Sequence, residues 1–89
     1  MNDLKIILKE RGKRYGGFER HAEISQELKR LINVYSNPSL FKPYQKEAMC
    51  MIMHKIARIL NGDPSYADSW QDIAGYAQLV VDELTKKSE

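Results

Sequence analysis

Apolar residues recur at intervals of three and four in four stretches of the chain, which is the pattern of helices with one buried face. In the first stretch, Leu4, Ile7 and Leu8 predict a short helix that ends at Glu10 or Arg11. The segment RGKRYGG follows, and its glycines predict a basic loop because glycine weakens a helix interior by about 1 kcal/mol relative to alanine.

The second and third helices flank a linker that contains two prolines. The second helix is predicted from Glu19 to Tyr35, and the prolines of SNPSLFKP then end helical structure. The third, PYQKEAMCMIMHKIARILN, runs from Pro43 to Asn61 and has Gly62 after it as a left-handed C-terminal residue. Its apolar face is wide, so we expect it to be the central helix.

The fourth helix follows a Gly-Asp-Pro turn, where Ser65 and Asp68 predict a capping box, and it runs to near Lys86. Because this loop is short, the third and fourth helices should form an antiparallel hairpin. The sequence therefore predicts a single all-α domain over residues 1–89, with about four helices around that hairpin. Its parts are a short helix and basic glycine-rich loop (1–18), helices two and three (19–61), and a turn with the C-terminal helix (62–89).

Chain length and composition predict one small core. Apolar residues make up 43% of the 89 residues and charged residues 29%, as in ordinary globular proteins. A chain of this size buries only about 60 to 65% of the surface of its unfolded state. Association would bury more, so we expect a homo-oligomer, a dimer or larger.

Charge and cysteine content narrow the classes of function. The net charge of +2 is too small to indicate nucleic-acid binding, and most of the excess lies between Met1 and Arg20. The single cysteine, Cys50, excludes an internal disulfide. The chain has neither an apolar run of membrane-spanning length nor a secretion signal, so we expect a cytoplasmic protein that makes no membrane contact.

Four charged residues on the predicted hairpin form the first candidate site. Positions equally far from the turn stand level, so Arg58 should lie near Asp68 and Lys55 near Asp72. They could simply pair and fix the register of the two helices, each exposed pair contributing about 0 to 1 kcal/mol. Alternatively, the carboxylates could hold a divalent metal while the cations attract a phosphate.

Two further features bear on this choice. Gly75 lies in mid-helix, where either a ligand or another helix could approach the backbone closely. In RGKRYGG, Lys13 and Arg14 could attract an anion and Tyr15 could stack on a base, although a solvated turn explains the segment equally well. The histidines, His21 and His54, are too few and too separated to indicate a zinc site.

The segments ERGKRYGGFERH, KIARILNGD and YADSWQDIAGYAQLV resemble a family of small phage and prophage proteins of unknown function, from Lys9 to Leu84. More distantly, the layout is similar to phage nucleotide-modification-associated domains and to all-α NTP pyrophosphohydrolases of the MazG type. The resemblance implies Mg²⁺ bound through acidic pairs on two helices. It assigns the second pair to Asp68 and Asp72, although these enzymes usually space theirs E-x-x-D, and their first pair, E-x-x-E, matches poorly here.

The sequence thus leads to two hypotheses of function. In the first, a cleft binds a nucleotide or other phosphorylated small molecule, with Mg²⁺-dependent pyrophosphohydrolysis as an activity in which Glu47 and Asp72 are catalytic. In the second, the protein is a non-catalytic oligomer that binds a host protein or sequesters a nucleotide signal as a counter-defence. The residues of the cleft are Arg14, Lys55, Arg58, Asp68 and Asp72.

Overall fold

A computed structural model gives the structure of the chain and describes residues 2–86. All regular structure in this range is helical, and α3 and α4 pack against each other as a hairpin, which confirms the predicted fold class. Over the same range, no helix combines the length and apolar character needed to cross a membrane. The helices are α1 (Asn2–Tyr15), α2 (Phe18–Tyr35), α3 (Pro43–Asn61) and α4 (Ala67–Thr85).

Helix α1 is longer than predicted, because it continues through Gly12 to Tyr15. The expected end at Glu10 or Arg11 is therefore wrong, and residues 12–15 are not a loop. One interior glycine weakens a helix by only about 1 kcal/mol, and the cations in the last turn interact favourably with the negative end of the helix dipole. The break comes at Gly16, which has a φ of 77°.

The turn between α3 and α4 also differs from its prediction. Helix α4 begins at Ala67, and no side chain caps it. The predicted cap at Ser65 is wrong because that residue lies within the turn, where its N–H donates to the Asp63 carboxylate at 2.9 Å. Trp70 closes the turn from the other side by donating its indole N–H to the Pro64 carbonyl at 2.8 Å.

Helix α3 lies between α2 and α4 and packs against both. No Cα atom of α2 comes within 8 Å of one in α4, so within residues 2–86 the three helices form a single open layer rather than a closed bundle. Helix α1 contacts α2 and α3 on one side of this layer. The core is correspondingly small, and its buried apolar residues in this range are Ile32, Ala48 and Ala57.

Two glycines have environments that the sequence did not predict. Gly62 is not left-handed, since its φ is −131°; it is needed because a Cβ there would overlap the Arg14 carbonyl and the Tyr15 Cα. Gly75 lies in open space, with no atom within 4 Å of where its Cβ would be. Close helix packing at Gly75 is therefore wrong for the described part of the chain, and the approach of a ligand stays a prediction.

Candidate functional site

Helix α1, the corner at residues 16–17 and facing residues of α2 and α3 enclose a cavity of about 420 Å³. Two arginines, two histidines and two aromatic residues dominate its wall, and no carboxylate lies among the described residues that line it. These six residues are Arg11, Tyr15, Phe18, His21, His54 and Arg58.

The corner is held against the end of α3 by one side chain. The amide of Asn61 donates from Nδ2 to the carbonyls of Tyr15 at 2.9 Å and Gly17 at 2.8 Å. Gly16, between them, is left-handed, and a Cβ there would overlap the Asn61 carbonyl. Since only glycine fits at position 16, this residue fixes the break between α1 and α2 and with it one wall of the cavity.

The two histidines meet in the wall of the cavity. Their rings pack edge to face, with centroids 4.6 Å apart and planes at 85°. His21 is only 7% exposed, and its Nδ1 has no hydrogen-bond partner among the residues that the structure describes. A buried polar nitrogen without a partner costs about 1 to 3 kcal/mol, so this atom is one that a bound molecule could satisfy.

Burial and nearby cations keep both imidazoles neutral at pH 7. The pKa of His54 is lowered to about 4, first by burial and then by the charges of Arg58, His21, Lys29 and Lys55, in that order. The pKa of His21 is lowered by burial first and then by the charges of Arg58, Lys29 and Lys55. The two rings therefore lie in a positive electrostatic field that the residues lining the cavity do not neutralise.

A chain of aromatic contacts links α1 to α3 and to Tyr66, the residue that precedes α4. The Arg58 guanidinium lies 4.3 Å from the Tyr15 ring centroid, and Arg14 lies 4.3 Å from that of Tyr66. The two tyrosine rings pack edge to face at 6.0 Å. The Tyr66 hydroxyl donates to Asp68 at 2.8 Å, and this hydrogen bond raises the pKa of Tyr66.

Of the two charge pairs predicted for the hairpin, one forms. The ammonium of Lys55 lies 3.0 Å from the Asp72 carboxylate, and their side chains are 12% and 49% exposed. The second pair, Arg58 with Asp68, does not form an ion pair within residues 2–86: the guanidinium stacks on Tyr15, and the carboxylate accepts a hydrogen bond from Tyr66. The confirmed pair holds α3 and α4 in register.

The other predicted site residues are dispersed. Lys13 lies on the exposed surface of α1, where its ammonium is 3.7 Å from Glu10. Glu47 lies in a separate groove between α3 and α4, with Tyr76. It precedes Lys55 by eight residues, a separation of about 12 Å along the helix axis. Among the predicted residues, the cavity brings together only Tyr15 and Arg58.

The described part of the chain, residues 2–86, forms no metal site of three or more protein ligands. No three His, Cys, Asp or Glu side chains of residues 2–86 are grouped so that they could hold an ion. Asp72 is bonded to Lys55, and Asp68 to Tyr66. Because Mg²⁺ often takes one or two carboxylates and completes its shell with water and substrate phosphates, the magnesium prediction stays a prediction.

Sequence reasoning missed four residues of the cavity. Arg11 shares a face with Leu8 and Tyr15 only if α1 continues through Gly12. Because the sequence predicted a loop there, Arg11 was not expected to lie beside Tyr15. A signal existed for His21, which precedes Ser25 and Ile32 by four and eleven residues and so lies on the buried line of α2. The others missed were Phe18 and His54.

Comparison with known proteins identifies a family but no function. Neither the curated proteins nor the solved structures include a match to the chain. Residues 2–83 match the model of a family described as a domain of unknown function, DUF6378. Because this match covers most of the 89 residues and all but the end of α4, the chain belongs to the DUF6378 family.

Proposed function

We propose that the protein binds a small molecule that carries a phosphate and an aromatic ring, a nucleotide being the model case, in the cavity between α1, α2 and α3. One observation carries the proposal. Arg11 and Arg58 line a cavity with no carboxylate among its described lining residues, and the wall also includes His21, whose buried Nδ1 has no hydrogen-bond partner within residues 2–86. An anion would balance the two guanidinium charges, and its oxygen or hydroxyl groups could hydrogen-bond the imidazole.

Guanidinium groups favour phosphate in particular. Their planar fork of N–H donors matches two phosphate oxygens at once. Stacking on Tyr15 orients Arg58 while leaving the donors in the plane of the guanidinium. His21 and His54 are neutral near pH 7, so each can both accept and donate a hydrogen bond.

The rim and size of the cavity suit an aromatic group beside the phosphate. Phe18, the first residue of α2, lines the cavity and is 84% exposed, so its ring is available for stacking. A volume of about 420 Å³ lies within the range of about 300 to 1,000 Å³ typical of small-molecule sites. These features support a nucleotide or similar compound over inorganic phosphate alone.

Magnesium-dependent hydrolysis is a finer proposal, and it rests on the resemblance to MazG-type enzymes. Asp68 and Asp72 would be the carboxylates near the metal, and the ion would neutralise phosphate charge. Both carboxylates already have protein partners in the described chain, so they would have to exchange them for the ion. Turnover that survives in Asp72→Asn would contradict this proposal without affecting the binding one.

A thermal-shift screen tests binding. The purified protein is heated with AMP, ADP, ATP, pyrophosphate and cyclic dinucleotides, each with and without Mg²⁺. A ligand at 100 times its Kd stabilises the folded state by about 2.7 kcal/mol, which raises Tm by roughly 10 °C or more in so small a domain. Arg58→Gln should abolish the shift, and Arg20→Gln, on the exposed surface of α2, should not.

The outcomes separate the hypotheses. A shift that requires Mg²⁺ would support the hydrolytic proposal and justify a turnover assay. A shift without metal would support a binding protein that sequesters its ligand. The absence of a shift with every compound would contradict the cavity proposal and favour the non-catalytic interaction protein.

A further inference from the structure

The open layer of α2, α3 and α4 has an apolar face on the side away from α1. Its side chains come from all three helices, and five of the six named here are from 45% to 62% exposed. We define this apolar face by Leu31, Ile56, Leu60, Trp70, Val81 and Leu84.

The contacts of α3 show why this side is open. Successive residues of a helix point about 100° apart, and in three directions around α3 the side chains face another helix. His54 points to α2, Arg58 to α1 and Lys55 to α4. The remaining sector lies opposite Arg58 and carries apolar side chains, namely Met49, Ile52, Met53, Ile56 and Leu60.

Helix α4 adds its flank to the same side. Ser69 is its buried residue, and Asp72, through Lys55, marks the flank nearest α1. Trp70, Val81 and Leu84 follow helical spacing along the opposite flank. On α2, Phe18 lines the cavity on the α1 side, and Leu31 lies on the other flank by the same spacing. The three apolar stripes therefore lie on the same side of the layer.

The chain exposes more surface than a globular monomer of its mass. A monomer of 10.3 kDa exposes about 5,400 Å², whereas this chain exposes 6965 Å². Its radius of gyration is 15.6 Å, against about 12 Å for a compact domain of 89 residues. The excess of about 1,600 Å² exceeds the roughly 800 Å² per partner of a standard interface and is of the size that an obligate homodimer buries.

From these observations we infer that two copies of the chain pack against each other through the apolar face. Domains are stable when two layers of secondary structure enclose a core, and one copy supplies a single layer. The six residues of the face are all uncharged, and a two-fold contact places the same apolar face of each copy against that of the other. A second copy thus provides the missing layer and forms a six-helix core with the two cavities on its outer sides.

Sedimentation equilibrium over the micromolar range, with Trp70 emission measured on the same samples, tests this inference. The expected mass is twice 10.3 kDa. Trp70 is the only tryptophan of the chain and is 54% exposed in one copy, so its emission should shift to longer wavelength as dilution separates the copies.

Matched variants locate the interface. Leu60→Glu and Leu84→Glu place a carboxylate on the face at positions that are 62% and 60% exposed in one copy, and each should raise the dimer Kd about 100-fold or more. Leu79→Glu is the control, since Leu79 is also 60% exposed but lies on the flank of α4 that carries Asp72. It should leave the Kd unchanged, and circular dichroism checks that all three variants stay helical.

Three results would overturn the inference. The first is a wild-type monomer at every concentration, which would leave the face to a different protein. The second is a dimer that Leu60→Glu and Leu84→Glu leave intact. The third is a dimer that only Leu79→Glu dissociates. If a face variant loses its helical structure, the mass of the wild-type chain still decides, because a mass of 10.3 kDa at every concentration contradicts the dimer.

Discussion

The guanidinium of Arg58 lies 4.3 Å from the centroid of the Tyr15 ring, and this contact joins the middle of the helical layer to the end of α1. The sequence predicted that Arg58 pairs with Asp68, but its guanidinium stacks on Tyr15. Arg58 instead lines the cavity between α1, α2 and α3, beside two neutral histidines. The proposed ligand site therefore depends on an aromatic contact rather than on the ion pairs of the hairpin.

The Arg58–Tyr15 contact should be measurable as a coupling energy. We expect a double-mutant cycle of Arg58→Gln and Tyr15→Leu to give a coupling of about 0.5 to 1 kcal/mol in the free energy of unfolding, as cation–π contacts at partly exposed sites do. Urea denaturation provides the four stabilities. The exposed pair of Lys13 and Glu10 is the control and should couple by less. Equal couplings would show that the stacked geometry contributes nothing special.

Asn61 should contribute more to stability than an exposed asparagine. Asn61→Ala removes both hydrogen bonds to the corner carbonyls, and we expect it to lower the free energy of unfolding by about 1 to 3 kcal/mol. Asn33→Ala, on the exposed surface of α2, should change it by about 0.5 kcal/mol or less. Chemical denaturation of the two variants makes the comparison, and similar losses would contradict the role of Asn61 in holding the corner.

Four glycine-to-alanine variants should divide into two groups. Gly12 and Gly75 lie in helices with open space around them, so alanine should stabilise the fold by about 0.5 to 1 kcal/mol at each. Gly16 and Gly62 have backbone atoms where a Cβ would be, so alanine should destabilise by more than about 1 kcal/mol. Thermal melts rank the four, and a stabilised Gly16→Ala would contradict the geometry of the corner.

Stability should fall as pH drops from 6.5 toward 4. The unfolded chain binds a proton at His54 with a pKa near 6.5, whereas the folded chain binds it only near pH 4, because of burial and the charge of Arg58. Between these values the unfolded state carries more protons, so acid favours unfolding. Urea titrations at pH 6.5 and 5 measure the loss, which should be smaller in His54→Gln. An equal loss in that variant would assign the effect to other groups.

Much of the fold could be predicted from the sequence because helical periodicity is a local signal. The bounds of α3 agree with the structure, and the Lys55–Asp72 pair follows from the hairpin register. The end of α1 was not predictable in this way, because the cost of Gly12 is small compared with what the rest of the helix and its contacts supply. The prediction rested on the low helix propensity of glycine, whereas the structure continues the helix through Gly12.

The candidate site was less predictable, because it depends on relations between distant segments. Asn61 reaches the corner over more than forty residues, and no short pattern signals such a contact. The Arg58 side chain packs on the ring of Tyr15 rather than pairing with Asp68, the carboxylate that the register of the hairpin predicted. Charge spacing along two helices therefore identified one true pair and missed the cavity beside it.

The most direct test of the proposed ligand site uses the fact that the chain has two histidines, His21 and His54, and that both line the cavity. Imidazole NMR signals are followed against pH, without ligand and then with AMP or pyrophosphate. An anion beside the rings stabilises their charged forms, so we predict that the pKa of His54 rises from about 4 and that of His21 rises with it. Imidazole shifts and pKa values that stay unchanged at saturating concentrations of both compounds would contradict phosphate binding in this cavity.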